Sequence, residues 1–191
     1  AEIADSGLSG SDELRFGSTI AGDTLTVFAG ETGLEKVVIG MGSGPVADTS
    51  GTTALAVNAA AAPNGLAITG NAGANTITGS AFADSLDGGD GGDLYVIASA
   101  SHHSAAEITD SGLSGSDELR FSSTTAGQTL TVFAADAGLE KVVIGTSSGP
   151  VADTTGTTAL AVNAAAAPNG LAITGNAGAN TITGSALADT L

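Results

Sequence analysis

Ile68, Ile77, Leu86 and Tyr95 stand nine residues apart, each the penultimate residue of a small unit: AAPNGLAIT, GNAGANTIT, GSAFADSLD and GGDGGDLYV (61–96). A nine-residue period has no helical logic, because Gly and Asn recur where they would break a helix. It is also too long for a repeated hairpin strand with its turn. It fits half a coil of a parallel roll: a tight turn, then a short strand whose one large apolar residue points inward. Two units then make a full turn, and successive turns stack about 4.8 Å apart.

A longer period encloses the short one. Residues 1–86 align without gaps to residues 106–191, an offset of 105, and differ at positions 4, 17, 20, 23, 30, 31, 32, 41, 42, 50, 82 and 85, leaving 74 of 86 identical. The chain therefore divides into a first copy (1–105) and a second (106–191) that stops just before GGDGGD would recur, and it reads as a piece of a longer tandem array. Between the tight units, DELRF (12–16), TLTVFA (24–29), LEKVVIG (34–40), TALAVNA (53–59) and LAIT (66–69) have strand character and are separated by Gly, Ser, Asp and Pro. In LEKVVIG the polar Glu35 and Lys36 should turn outward. Helix should be nearly absent, because Pro63 and Gly65 follow the alanine run at 59–62. The expected fold is all-β: a right-handed parallel β-roll or β-helix solenoid.

With 20 acidic and 4 basic side chains the net charge is −16, which excludes a basic nucleic-acid surface. That repulsion opposes compaction unless cations offset it. The chain is nonetheless 42% hydrophobic and only 13% charged, so it is not of the disordered type. It has no cysteine, hence no disulfide and no thiolate metal site. No apolar run approaches a membrane span, and AEIADSGLSG is not a signal peptide.

The unit GGDGGDLYV fits the pattern G-G-x-G-x-D-x-U-x, U being large and apolar, through Gly88, Gly89, Gly91, Asp93 and Tyr95. Glycines let a tight turn aim carbonyls inward, and carboxylates and carbonyls are what calcium selects. On these residues, and on ITGNAGANTITGS, SGSDELRF and GLEKVVIG, the chain resembles the RTX family of secreted bacterial proteins, including surface-layer proteins and giant adhesins. The resemblance implies Ca2+ between stacked turns two nonapeptides apart, so that loop 70–75 pairs with loop 88–93. The ligands would be the Asp93 carboxylate, the Asn75 side-chain oxygen and carbonyls around Gly70, Ala72, Gly89 and Gly91, with Asn75 standing where the pattern has aspartate. Asp84 holds the same position in GSAFADSLD, but its stacking neighbours offer no carboxylate. Asp87 and Asp90 are expected to add charge or water-mediated contacts. GLSGSDELR is a near match through Gly7, Gly10, Asp12 and Leu14, copied at Gly112, Gly115, Asp117 and Leu119; Asp5 and Asp110, just upstream, are placed to share an ion with Asp12 and Asp117. Asp23, Asp48, Asp136 and Asp153 are expected to be solvated turn residues, and His102–His103 a surface loop.

No hydrolase, metalloprotease or phosphate-loop motif is present, and an identically repeated segment suits architecture better than catalysis. The expected role is a non-enzymatic, calcium-binding structural repeat of a surface layer, filament or adhesin. Its partners would be neighbouring copies, end to end and laterally, with no membrane insertion. By resemblance it is exported by type I secretion and folds on calcium at the cell surface. Two other readings are a roll attached to a secreted enzyme and a glycan- or ice-binding face built on Thr24, Thr26, Thr76 and Thr78.

Overall fold

The computed structural model describes residues 10–191. Its strands are β1 (Glu13–Phe16), β2 (Thr24–Thr26), β3 (Lys36–Ile39), β4 (Ala56–Asn58), β5 (Ala67–Thr69), β6 (Thr76–Thr78), β7 (Ser85–Asp87), β8 (Leu94–Ile97), β9 (Asp117–Phe121), β10 (Thr129–Thr131), β11 (Leu139–Ile144), β12 (Ala161–Asn163), β13 (Ala172–Thr174) and β14 (Thr181–Thr183). The one helical turn among the described residues is a 3-10 turn at Ala100–His102. The alanine run forms only a turn, closed by the Ala62 N–H donating to the Ala59 carbonyl at 2.8 Å.

All strand pairs are parallel, and the inward residues align rung upon rung. In the longest sheet Leu25, Val57, Ile77, Tyr95, Leu119, Val142 and Ile173 lie in continuous register. Opposite them run Leu14, Val37, Ile68 and Leu86, with Ile108 bridged to Leu86. Each of these strands thus gives at least one residue to a single narrow core, and β3, β8, β9 and β11 give a second or third: Ile39, Ile97, Phe121, and Leu139 with Ile144. The fold is an all-β parallel roll. The coil of two nonapeptides holds where those units lie, from Ile77 to Tyr95. Elsewhere the coils are longer, as from Leu25 to Val57 and from Tyr95 to Leu119. Part of the surplus leaves the roll as small excursions closed by the antiparallel bridges Met41–Asp48 and Thr146–Asp153. Arg120 pins the second excursion, donating to the Ser147 and Gly149 carbonyls at 2.9 and 2.7 Å while pairing with Glu118 at 2.7 Å. Arg15 repeats this with Glu13 and the Gly42 carbonyl.

The two copies do not occupy the same sides of the roll. β1, β3 and β5 form one sheet with β7, yet their copies β9, β11 and β13 lie in the sheet of β2, β4, β6 and β8. The cause is arithmetic. From β1 to its copy β9 the chain makes nine half-coils, the eight strands β1 to β8 and the bridged segment at Ile108, and an odd number returns the sequence on the opposite side. A copy advances the roll by about 22 Å at about 4.8 Å per coil and turns it over.

Two expectations are corrected. His103 is buried, not on a surface loop, and Asp136 is fully buried, not solvated. The turn at Ala100–His102 bends His103 beneath the coil above, and the turn after β10 brings Asp136 up to meet it. Asp48 and Asp153 do lie exposed, each capping its own turn through residue 50 or 155.

Truncating the fully buried Leu119 to Ala should cost about 2–5 kcal/mol. Val46→Ala, at an excursion tip 81% exposed, should stay within about 0.5 kcal/mol. Denaturant unfolding of both variants in calcium checks the rung assignment.

Candidate metal centre

Loop 88–92, between β7 and β8, lies directly on loop 110–116, between the Ile108 segment and β9. A Cβ on Gly112 would sit 2.0 Å from the Gly89 carbonyl oxygen, and one on Gly115 would sit 1.5 Å from that of Gly91. Gly91 and Gly115 also have φ of +122° and +112°, which other residues rarely adopt. Glycine here is the condition for two backbones to touch, and the contact is fixed by the Gly91 N–H donating to the Ser114 carbonyl at 3.0 Å.

That contact brings three carboxylates together. Ligand oxygens of Asp93, Asp110 and Asp117 all lie within 4.8 Å of one another, and all three residues are buried. Asp93 accepts the Asn75 N–H on Oδ1 at 2.6 Å, while its buried Oδ2 has no partner. Asp117 accepts the Asp93 N–H at 2.7 Å, and Glu140 accepts the Asp117 N–H at 2.8 Å, so an acidic ladder runs from coil to coil. Asp110 accepts the Gly112 N–H at 2.9 Å and the Tyr95 hydroxyl at 2.9 Å; the Tyr95 oxygen accepts the Gly88 N–H at 2.6 Å. The aromatic rung below the loop therefore orients one carboxylate of the cluster.

The electrostatics are unfavourable without a cation. Burial pushes the Asp93 carboxyl up to about 8, against the pull of the Asn75 N–H and with added repulsion from Asp110, Asp117 and Asp87. Asp117 rises to about 6 for the same leading reason, and Asp110 is raised as well, burial outweighing the Gly112 and Tyr95 bonds. An orphaned buried oxygen amid hard oxygen donors suits Ca2+, which takes six to eight such ligands in flexible geometry.

The other predicted residues are arranged differently. Asn75 Oδ1 accepts the Asn71 N–H at 2.8 Å, and its Nδ2 donates to Asn71 Oδ1 at 3.0 Å. Its oxygen is thus engaged within its own loop. Gly70 packs on Gly88, a Cβ there falling 2.0 Å from the Gly88 carbonyl oxygen, and the Ala72 N–H donates to Thr49. Loop 70–75 stacks on loop 88–93 as the nonapeptide spacing implies, but the carboxylates that meet Asp93 come from the coil after it. The Gly89 and Gly91 carbonyls face that coil too. Asp84 is satisfied by the Leu66 N–H, the Ser80 N–H and the Ser80 hydroxyl at 2.6–2.9 Å, a loop staple that Asp189 repeats with Leu171 and Ser185. Asp90 is exposed and accepts the Leu113 N–H at 2.9 Å, and Asp87 accepts the Ser111 N–H at 3.0 Å. Asp12 donates its N–H to Glu35 at 2.9 Å, as Asp117 does to Glu140. Asp5 and Gly7 lie outside the described residues.

Stacked parallel coils with a carboxylate centre between Gly-rich turns define a cation-binding β-roll. The model of the RTX calcium-binding nonapeptide repeat, in four copies, matches residues 69–96 and 173–191. These segments are RTX repeats, and RTX repeats bind calcium. The first match ends at Val96, so it includes Asp93 and Asn75 but neither Asp110 nor Asp117. No curated protein and no solved structure matches the chain.

Asp93→Asn and Asp117→Asn should each weaken calcium binding at least tenfold, whereas Asp84→Asn should leave it unchanged; calorimetric titration separates them. A carboxyl whose folded pKa is raised gains a proton on folding, so the metal-free roll loses stability as pH rises from about 4 through about 8. At pH 7 calcium binding to a roll that stays folded must then displace about one proton per ion, and none where binding is coupled to folding of a chain whose Asp93 is already ionised. Calorimetry in buffers of different ionisation enthalpy reads that number, and zero release would show that Asp93 is already ionised.

Proposed function

We propose that this chain is a calcium-rigidified structural repeat of a tandem array carried by a large secreted bacterial surface protein, in a surface layer, filament or adhesin. The observation that carries the reading is the position of the carboxylate centre: Asp93 ends the first copy's tight coils, and Asp110 and Asp117 open the second copy. One ion held there clamps copy to copy. An array with such a centre at each junction is loose where calcium is scarce, as inside a cell, and stiff where it is abundant. This suits a protein exported unfolded. The net charge of −16 supports the same reading, since bound divalent cations relieve repulsion along the rod. No catalytic role is proposed: the carboxylates hold a cation or staple turns. Among the described residues, no helix is long and apolar enough to cross a membrane.

One feature favours a second reading, ligand binding on the sheet face. A groove of about 580 Å³ lies on the longest sheet, lined by Thr24, Asn58, Thr76, Thr78, Glu118 and Pro150 among others. Glycan-array binding by the two-copy chain would support it.

Circular dichroism tests the first reading. Strand signal should collapse on chelation and return with calcium, but not with an equal concentration of magnesium. A spectrum indifferent to chelator would overturn calcium-dependent folding.

A further inference from the structure

The second buried ionic cluster of the roll centres on His103, in the segment that ends the first copy. Its Nε2 lies 3.0 Å from Asp136 Oδ2 and its Nδ1 lies 3.5 Å from Glu107 Oε2, the side chains being 1%, 0% and 0% exposed. The Phe133 ring tilts against the imidazole, with centroids 5.4 Å apart. We propose that His103 is the plug of a plug-and-socket contact joining each copy to the next, an imidazolium seated between the Glu107 and Asp136 carboxylates of the following copy.

The geometry favours one charge state. A neutral imidazole donates from one nitrogen and turns a lone pair outward from the other. Here Nε2 is hydrogen-bonded to Asp136, while Nδ1 makes no hydrogen bond but has the Glu107 carboxylate 3.5 Å away, so the doubly protonated ring avoids setting a lone pair against a buried anion. Burial alone would lower the His103 pKa, but the Asp136 and Glu107 contacts outweigh it and raise it to about 9. The arrangement does not suit chelation, because the two nitrogens point to different carboxylates.

The following copy builds the socket. Asp136 Oδ2 also accepts the Phe133 N–H at 2.7 Å, and Glu107 Oε2 accepts the Ser104 N–H at 2.7 Å. Asp136 Oδ1 and Glu107 Oε1 are buried without partners. Removing the imidazolium would leave two buried carboxylates uncompensated, a strongly destabilising state. The first copy is an internal control. Glu31 stands at the position of Asp136, is 3% exposed and accepts the Phe28 N–H at 2.9 Å. Among the described residues no histidine covers it, and Phe28 is 54% exposed whereas its copy Phe133 is half-buried. The Asp136 side of the socket has its counterpart in Glu31, while Glu2, the counterpart of Glu107, lies outside the described residues.

The inference rests on the tandem-copy reading and not on calcium. The groups facing His103 are Glu107 from the Ile108 segment, Asp136 from the turn after β10, and the uncharged Phe133. A histidine whose folded pKa is raised gives stability that is complete below about 6.5 and is lost as pH rises through about 9.

The test uses the whole two-copy chain in calcium, as wild type, His103→Gln and His103→Ala. Imidazole NMR, with the His103 signal assigned by its absence from His103→Gln, should show titration near pH 9. Amide exchange at Phe133 and Ser104 should quicken at least tenfold in His103→Gln while β4 and β6 stay protected, and the alkaline loss of stability should vanish. Titration at or below 6.5, or His103→Gln matching wild type in exchange and alkaline stability, would overturn the proposal. The wild-type titration decides even if His103→Ala does not fold. Calcium affinity is measured on the same samples and should be unchanged in His103→Gln, so failure of the clasp and failure of the calcium reading register separately.

Discussion

Parallel coils stacked about 4.8 Å apart place turn on turn, and whatever a turn carries is repeated at that spacing. When the turns are acidic, the stack concentrates like charge along its edges. The roll meets this in two ways. Where one carboxylate faces a turn rich in N–H donors, as at Asp84, hydrogen bonds from Leu66 and Ser80 occupy both oxygens, although burial still outweighs them and raises the pKa. Where the coils bring Asp93, Asp110 and Asp117 together, the donors run out and Asp93 Oδ2 is left bare. A hard cation such as calcium would supply what the backbone cannot.

Glycine sets how closely this can happen. The contact of Gly115 with the Gly91 carbonyl leaves no space for a methyl group, and the same closeness pulls Asp117 onto Asp93. Glycine content and carboxylate clustering are thus one device. Without the glycines the loops would separate and the acidic residues would relax into solvent.

Local chemistry was legible in the sequence and long-range register was not. The rung residues Ile68, Ile77, Leu86 and Tyr95 follow from the nonapeptide period, because in a roll an inward side chain must recur once per half-coil. Asp93 follows from its place behind the glycines. Asp110 and Asp117 follow, as an ion-sharing pair, from the near match GLSGSDELR, but their meeting with Asp93 does not: a coil of two nonapeptides points to Asn75, and only after Tyr95 does the coil lengthen and carry Asp117 into position. Coil length depends on how much chain leaves the roll in excursions, which no local pattern records. His103 and Asp136 were hidden for a related reason. Both sit in Ser/Ala-rich stretches that look like surface turns, and only the stacking of one coil on the next buries them against each other.

The odd count of half-coils gives these junctions a further consequence. Because each copy is turned over relative to the last, β1 and its copy β9 cannot lie in the same sheet, and each junction must join unlike sides of the same repeat. A junction of that kind cannot rely on the register of identical strands. It needs contacts of its own. The carboxylate centre and the His103 cluster both meet that description: each takes one member from the end of the first copy and two from the second. The inner coils, built from nonapeptides, are held by apolar rungs and stapled turns. On the readings proposed above, the carboxylate clusters at the seams take a compensating charge, a cation in one place and an imidazolium in the other.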